Sequence, residues 1–305
     1  MININEKDFI ETIRMKGTQV SLLASSSTAE IIHHRLDDGT SWAIEPEEGW
    51  NALEYLIILK GELKTFPQNE TVPSLKPGDS FYRHPVKEFY TFKAVGVTEF
   101  IYVSSQPIFH RYSNIVRDIM SLAISIEEKD GYTVDHCTRI SKMSMHVGEA
   151  LGLDSEQILR LNLGSFFHDV GKVNIPEEIL KKPGKLTSDE WSIMKQHPTF
   201  GRKLLEDTKI PVLASIGEVV EQHHERYDGT GYPKGLSGEN ICIESAIISV
   251  VDSYDAMTSD RIYQSRRSPD YAFEELLRCR GSMYHPEVVD TFIGLKNTIL
   301  GVKEE

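Results

Sequence analysis

Two hydrophobic periods divide the chain. Up to about residue 105, short runs rich in β-branched and aromatic residues recur: AEIIHHRL (29–36), ALEYLIIL (52–59), EFYTF (88–92) and TEFIYVS (98–104). DDGT, PEEG, KGE and KPGD stand between them as turn signals. Pro77 and Gly78 suit the two central positions of a type II turn, whose second position needs a positive φ. Short strands at this spacing predict an antiparallel sandwich or barrel.

After Pro107 the period lengthens. Ile108, Tyr112, Ile115, Ile119, Leu122 and Ile126 follow one another in steps of four and three, the seam of a long amphipathic helix. From there to the end the pattern predicts helices joined by capped turns.

The helical stripes carry the chemistry. Between Val134 and Leu151 the apolar stripe is Ile140, Met143, Val147 and Leu151, and His136 lies four residues before Ile140. Ile158, Leu161 and Ser165 lead at helical spacing to His168 and then Lys172, with Asp169 beside His168 and Gly171 releasing the chain. His197 follows Met194 by three residues, Ile216, Val219 and Val220 lead to His223 and His224, and Asp252 ends the run AIISVVD. HHERYDGTGYP (223–233) then runs from the paired imidazoles into a turn built on Gly and Pro.

One such histidine is usually a core residue satisfied by a hydrogen bond. Five histidines and two aspartates at the ends of successive apolar stripes are different, because burying them in one core is costly without a cation. Nitrogen and oxygen donors without sulfur suit Fe, Mn or Zn, and suit a carboxylate-bridged pair rather than a structural zinc. Seven ligands exceed a tetrahedral shell and fit two six-coordinate ions with open positions.

Composition narrows the setting. The 305 residues, 40% hydrophobic and 26% charged, suggest a globular chain of two domains. MININEKDFIETIR lacks an apolar h-region, and LIIL and IISVV are far too short to span a bilayer, so neither a secretory signal nor a membrane partner is expected. Cys137, Cys242 and Cys279 form no spaced pair, which suits a reducing cytoplasm. A net charge of −13 repels polyanions and argues against duplex nucleic acid. A small anionic substrate then needs metal ions or local basic residues, for which KKPGK (181–185) and RIYQSRR (261–267) are candidates.

Two resemblances follow from these motifs. KGELKTF, LKPGDSFYRHP and TEFIYVSS, within residues 18–105, resemble the cupin family of jelly-roll barrels. Metal-binding cupins carry clustered histidines and a glutamate where this chain has WNALEYLIILKG, and His84 alone stands near a family histidine. The barrel is therefore expected to sense a small ligand or to dimerise. His168-Asp169 with Gly171-Lys172, HP..G at 197–201, HHERYDGTGYP and VVDSYDAMTSDRIY (250–263) resemble the HD-GYP domains of the HD phosphohydrolase superfamily, over about residues 115–298.

The second resemblance implies metal-dependent hydrolysis of cyclic di-GMP, with His136, His168, Asp169, His197, His223, His224 and Asp252 as ligands and Asp169 bridging two ions, Fe or Mn. It implies that Lys172 stabilises charge on the phosphate, that Arg261 and Tyr263 contact substrate, and that Gly231, Tyr232 and Pro233 shape the rim. Another cyclic dinucleotide, or a sensor that does not hydrolyse, is the alternative. Members with three metals carry a glutamate where this chain has Tyr132, hence two ions. Gln264 stands where a basic residue is frequent, with Arg266 or Arg267 as substitutes. The expected organisation is a cupin-like all-β jelly-roll barrel (1–106), a connecting amphipathic helix (107–130) and an all-α HD-GYP domain (131–305), with the barrel regulating the hydrolase and a homodimer as one further arrangement.

Overall fold

The computed structural model describes residues 7, 9–15, 17–65, 74–129, 136–259 and 266–304. It divides into two compact units, Met1–Asp118 with Asp154–Glu156, and Ile119–Leu153 with Gln157–Glu305. Among the described residues no helix is long and apolar enough to cross a membrane.

The first unit is an antiparallel sheet of seven strands: β1 (Glu11–Met15), β2 (Thr18–Ser25), β3 (Glu30–Leu36), β4 (Ser41–Ile44), β5 (Glu54–Thr65), β6 (Ser80–Arg83) and β7 (Tyr90–Ser104). Their order is β1-β2-β3-β7-β5-β6, with β4 also paired to β7. Alternation sends Leu56, Ile58, Leu63, Phe92, Ala94, Phe100 and Tyr102 into one core. Asp79 donates its N–H to Lys76 O at 2.8 Å and Gly78 has φ +94°, as the Pro77-Gly78 turn requires.

The sheet departs from the sequence reading at KGE, which does not end a strand. Gly61 takes φ +73° beside register shifts between Ile58 and Glu62, so β5 bends through a bulge and continues to Thr65. EFYTF and TEFIYVS likewise join in β7, whose first half pairs with β4 and whose second half pairs with β3.

Helix α1 (Phe109–Lys129) begins just past Pro107, and the division between the units falls within it. Its first turn is capped from β3, where the buried Glu30 carboxylate accepts the N–H groups of Ile108 and Phe109, both at 2.7 Å. Ile119, Ala123 and Ile126 are buried along one seam, whereas the side chains of Tyr112 and Ile115 lie outside the described residues.

The second unit is helical: α2 (His136–Ala150), α3 (Ser155–Phe167), α4 (Glu177–Leu180), α5 (Ser188–Met194), α6 (His197–Asp207), α7 (Pro211–Ser215), α8 (Gly217–Gln222), α9 (Ile243–Thr258), α10 (Pro269–Arg278), α11 (Pro286–Gly294) and α12 (Lys296–Glu304). Its stripes are buried as their spacing dictates, with Ile140, Met143, Val147, Ile158, Leu161, Val219 and Val220 all at 0% exposure. Truncating any large one to Ala costs about 2–5 kcal/mol by lost burial and cavity. One helix is shorter than its stripe implies: α3 stops at Phe167 and Val170–Asn174 is a 3-10 turn. In that turn the backbone packs closely, since a Cβ on Gly171 would lie 2.0 Å from His197 O and 2.3 Å from Gly201 N. Only glycine allows this approach, which brings the end of α3 onto the start of α6.

Candidate metal centre

Three of the five imidazoles are held by local backbone chemistry. Thr187 and Glu190 form a capping box that starts α5. The last residue of that helix, Met194, offers the carbonyl that holds His197 Nδ1 at 2.9 Å. Pro198 follows His197 in the first turn of α6, where a missing N–H is harmless. Ser165 O holds His168 Nδ1 at 2.9 Å, and Val220 O holds His223 Nδ1 at 2.6 Å. In all three rings Nδ1 therefore carries a proton; in His197 and His223 the lone pair then sits on Nε2, and in His168 Nε2 is the atom left to face the cluster.

Those lone pairs converge. His197 and His223 bring their Nε2 atoms to 3.4 Å. Asp169 Oδ1 lies 3.2 Å from His197 Nε2 and 3.9 Å from His223 Nε2. Donor atoms of Asp169, His197, His223 and His224 lie within 4.8 Å of one another, as do those of His136, His168 and Asp169. The two groups share Asp169. Asp252, on α9, places Oδ1 3.6 Å from His136 Nε2. The structure thus brings all seven residues to one place, buried but for partial exposure of His224, Asp169 and Asp252.

The donor set fits divalent cations. His168 Nε2, Asp169 Oδ1 and Asp252 Oδ1 are buried without a hydrogen-bond partner, and such atoms are costly unless an ion or water pairs them. A carboxylate oxygen facing two imidazole lone pairs is an arrangement that a cation completes.

The charges are strongly coupled. Burial would raise the Asp169 carboxyl, but the Lys172 ammonium and the His168 and His197 rings outweigh it and hold it well below the usual range. Lys172 Nζ donates to Asp169 Oδ2 at 2.8 Å. Burial disfavours charge on His168, yet Asp169 and then Asp252 push its pKa up to about 9. Burial chiefly disfavours charge on His223 and His224, and the imidazoles packed around them act in the same direction.

The loop after the paired histidines closes over the cluster. Tyr232 stacks on His224 with ring centroids 4.9 Å apart and meets Trp191 at 6.3 Å. The Glu225 carboxylate accepts the N–H groups of Lys234 (2.7 Å) and Leu236 (3.0 Å), so it fastens the loop rather than reaching the cluster. Gly231 crosses directly over this turn, where a Cβ would meet Arg226 N at 2.3 Å. Pro233 follows through a cis peptide.

Tyr132, Arg261, Tyr263 and Gln264 lie outside the described residues. Arg267 is exposed and sits over the Tyr271 ring at 5.5 Å. Asp255 and Arg139 escaped the sequence reading. Asp255 has no exposure, and its Oδ2 holds His136 Nδ1 at 2.8 Å. Arg139 grips the same carboxylate through Nε and Nη2, each at 2.9 Å. The available signal was VVDSYD, which puts Asp252 and Asp255 one turn apart on one helix face.

A helical unit whose core ends in a His/Asp cluster able to hold divalent metal is the class that fold and site define. Residues 115–288 match the model of the HD domain family, and the chain belongs to that family. A cyclic di-GMP phosphodiesterase of Thermotoga maritima is 36% identical over 200 residues, covering 65% of this chain and 54% of that protein. The 3'3'-cGAMP-specific phosphodiesterase 2 of Vibrio cholerae is 33% identical over 175 residues, covering 57% of this chain and 34% of its own length. The chain spans about half or less of these curated relatives. Among solved structures, an RmlC-like cupin from Shewanella frigidimarina is 15% identical, with a TM-score of 0.28, covering 34% of this chain and 89% of that one.

Proposed function

We propose that the second unit is a metal-dependent phosphodiesterase for a cyclic dinucleotide, cyclic di-GMP first, yielding the linear dinucleotide or GMP. The observation that carries this reading is the convergence of five imidazoles and two carboxylates, with Asp169 common to both halves of the cluster. His136, His168, Asp169 and Asp252 would hold one ion, and His197, His223, His224 and Asp169 the other; Fe and Mn suit these donors. When bound, the ions supply Lewis acidity, lowering the pKa of water and neutralising phosphate oxygens.

The remaining work belongs to the chain. Asp169 stays ionised at any working pH because Lys172 and the imidazoles favour its charge. Lys172 reaches the same carboxylate from the 3-10 turn, and its ammonium would meet charge developing on a phosphate. The Tyr232 ring lies against His224 and, with Trp191 beyond it, walls one side of the site. Arg261 and Tyr263 remain candidates for substrate contacts. We place the chain in the cytoplasm, where its free cysteines stay reduced.

A second substrate reading rests on the relative named as 3'3'-cGAMP-specific. Turnover of cyclic di-GMP, 3'3'-cGAMP and their linear products by the full chain decides between them. Preference for cyclic di-GMP supports the first reading, preference for 3'3'-cGAMP replaces it, and binding of either without turnover makes the chain a sensor. Regulation by the first unit is proposed through α1, whose N-terminus is fastened to β3 by Glu30. A small ligand of the barrel, or pairing with a second copy, would then shift the population of the active arrangement.

A further inference from the structure

We infer that Asp255 and Arg139 form a positioning pair dedicated to His136, and hence to one half of the metal centre; this rests on the metal-centre reading above. His168, His197 and His223 each take their Nδ1 partner from a carbonyl three residues earlier in their own segment. His136 takes its partner from another helix, the Asp255 carboxylate of α9 at 2.8 Å.

A carboxylate with no exposure is costly unless it is paired and hydrogen-bonded. Arg139 meets both conditions through two parallel bonds, Nε to Oδ1 and Nη2 to Oδ2, each at 2.9 Å. Ser259 Oγ adds a third contact to Oδ2 at 3.2 Å and also accepts from Arg139 Nη2 at 3.2 Å. His136 and Arg139 are one turn apart on α2, and Asp252 and Asp255 are one turn apart on α9. Each helix thus supplies one residue of the cluster and one residue that orients it.

The consequence is selective. With Nδ1–H committed to Asp255, the His136 Nε2 lone pair faces Asp252 Oδ1 and the His168–Asp169 group. A carboxylate behind the ring also raises its basicity as a ligand, and removing such a partner typically costs about 10–100-fold in metal affinity. In the other half His197 and His223 have backbone anchors of their own, which do not involve this pair.

The test is calorimetric titration of the chelator-stripped full chain with Mn2+, for the wild type, Asp255→Asn and Arg139→Lys. The expected result is two binding events in the wild type. Asp255→Asn weakens one of them about 10–100-fold and leaves the other within about twofold. Arg139→Lys, which keeps the charge but not the fork, gives a smaller loss in the same event. If Asp255→Asn does not fold, Arg139→Lys decides alone. Unchanged affinities in a folded variant, or equal loss in both events, overturn the pairing with His136. A wild type that takes up no metal overturns the metal-centre reading instead, whatever the variants do.

Discussion

His197 and His223 face each other with Nε2 atoms 3.4 Å apart while each donates its Nδ1–H to a backbone carbonyl. Two lone pairs at that distance repel, and neither ring can turn without giving up its Nδ1–H bond to the backbone. A cation between them removes the conflict. Chelator-stripped protein should therefore melt lower than metal-loaded protein. At a hundredfold excess over Kd the gain is about 2.7 kcal/mol, or roughly 5–10 °C for a unit of this size. Thermal unfolding with and without Mn2+ checks this, and His197→Ala should reduce the difference by the share of the ion it helps to hold.

Lys172→Ala should leave metal content and folding intact and lower kcat by about 10²–10³-fold, the usual loss on removing one donor to transition-state charge. Asp169→Ala should lose metal and activity together, because it stands in both halves of the cluster. Elemental analysis beside steady-state rates separates the two. Full activity in Lys172→Ala would remove its proposed role.

Metal uptake should release protons. The folded-state pKa of His168 is raised from 6.5 to about 9. The stabilisation from its charge is thus complete below 6.5 and lost as pH rises through about 9. A cation replaces that proton, so affinity should climb by about tenfold per pH unit between these limits, with proton release at pH 7.5 of about one per chain. Calorimetry in two buffers of different ionisation enthalpy measures this directly; heats independent of the buffer would contradict it.

Gly231→Ala tests the loop. The added Cβ would lie 2.3 Å from Arg226 N, so the turn carrying Tyr232 must move. The expected loss is about 10²-fold in kcat/KM, from misplacement of the rim by about an ångström. Tyr232→Phe keeps the ring against His224 and should cost much less. Equal effects would mean that the hydroxyl, and not the wall, is what matters.

What the sequence made legible follows from locality. Apolar stripes at helical spacing located the seven clustered side chains, because each stands at a set distance from its own buried neighbours. The Asp255–Arg139 pair was not legible, since it joins helices 116 residues apart and neither residue disturbs a local pattern. KGE was read as a turn because glycine marks bulge and turn alike, and only the pairing of β5 with β7 distinguishes them. The helix from Ile158 was extended past Phe167 because periodicity alone does not show that α6 presses against Gly171.

The most direct measurement of the central claim is hydrolysis of cyclic di-GMP by the full chain, with bound metal counted in the same sample. Loaded with Mn2+ or Fe2+, the protein should carry about two ions and convert the cyclic dinucleotide to pGpG or GMP at about 1 s⁻¹ or slower, near the low end of enzyme turnover. Chelation should abolish the reaction and re-addition of metal should restore it. Two bound ions with no cleavage of any cyclic dinucleotide would contradict the account.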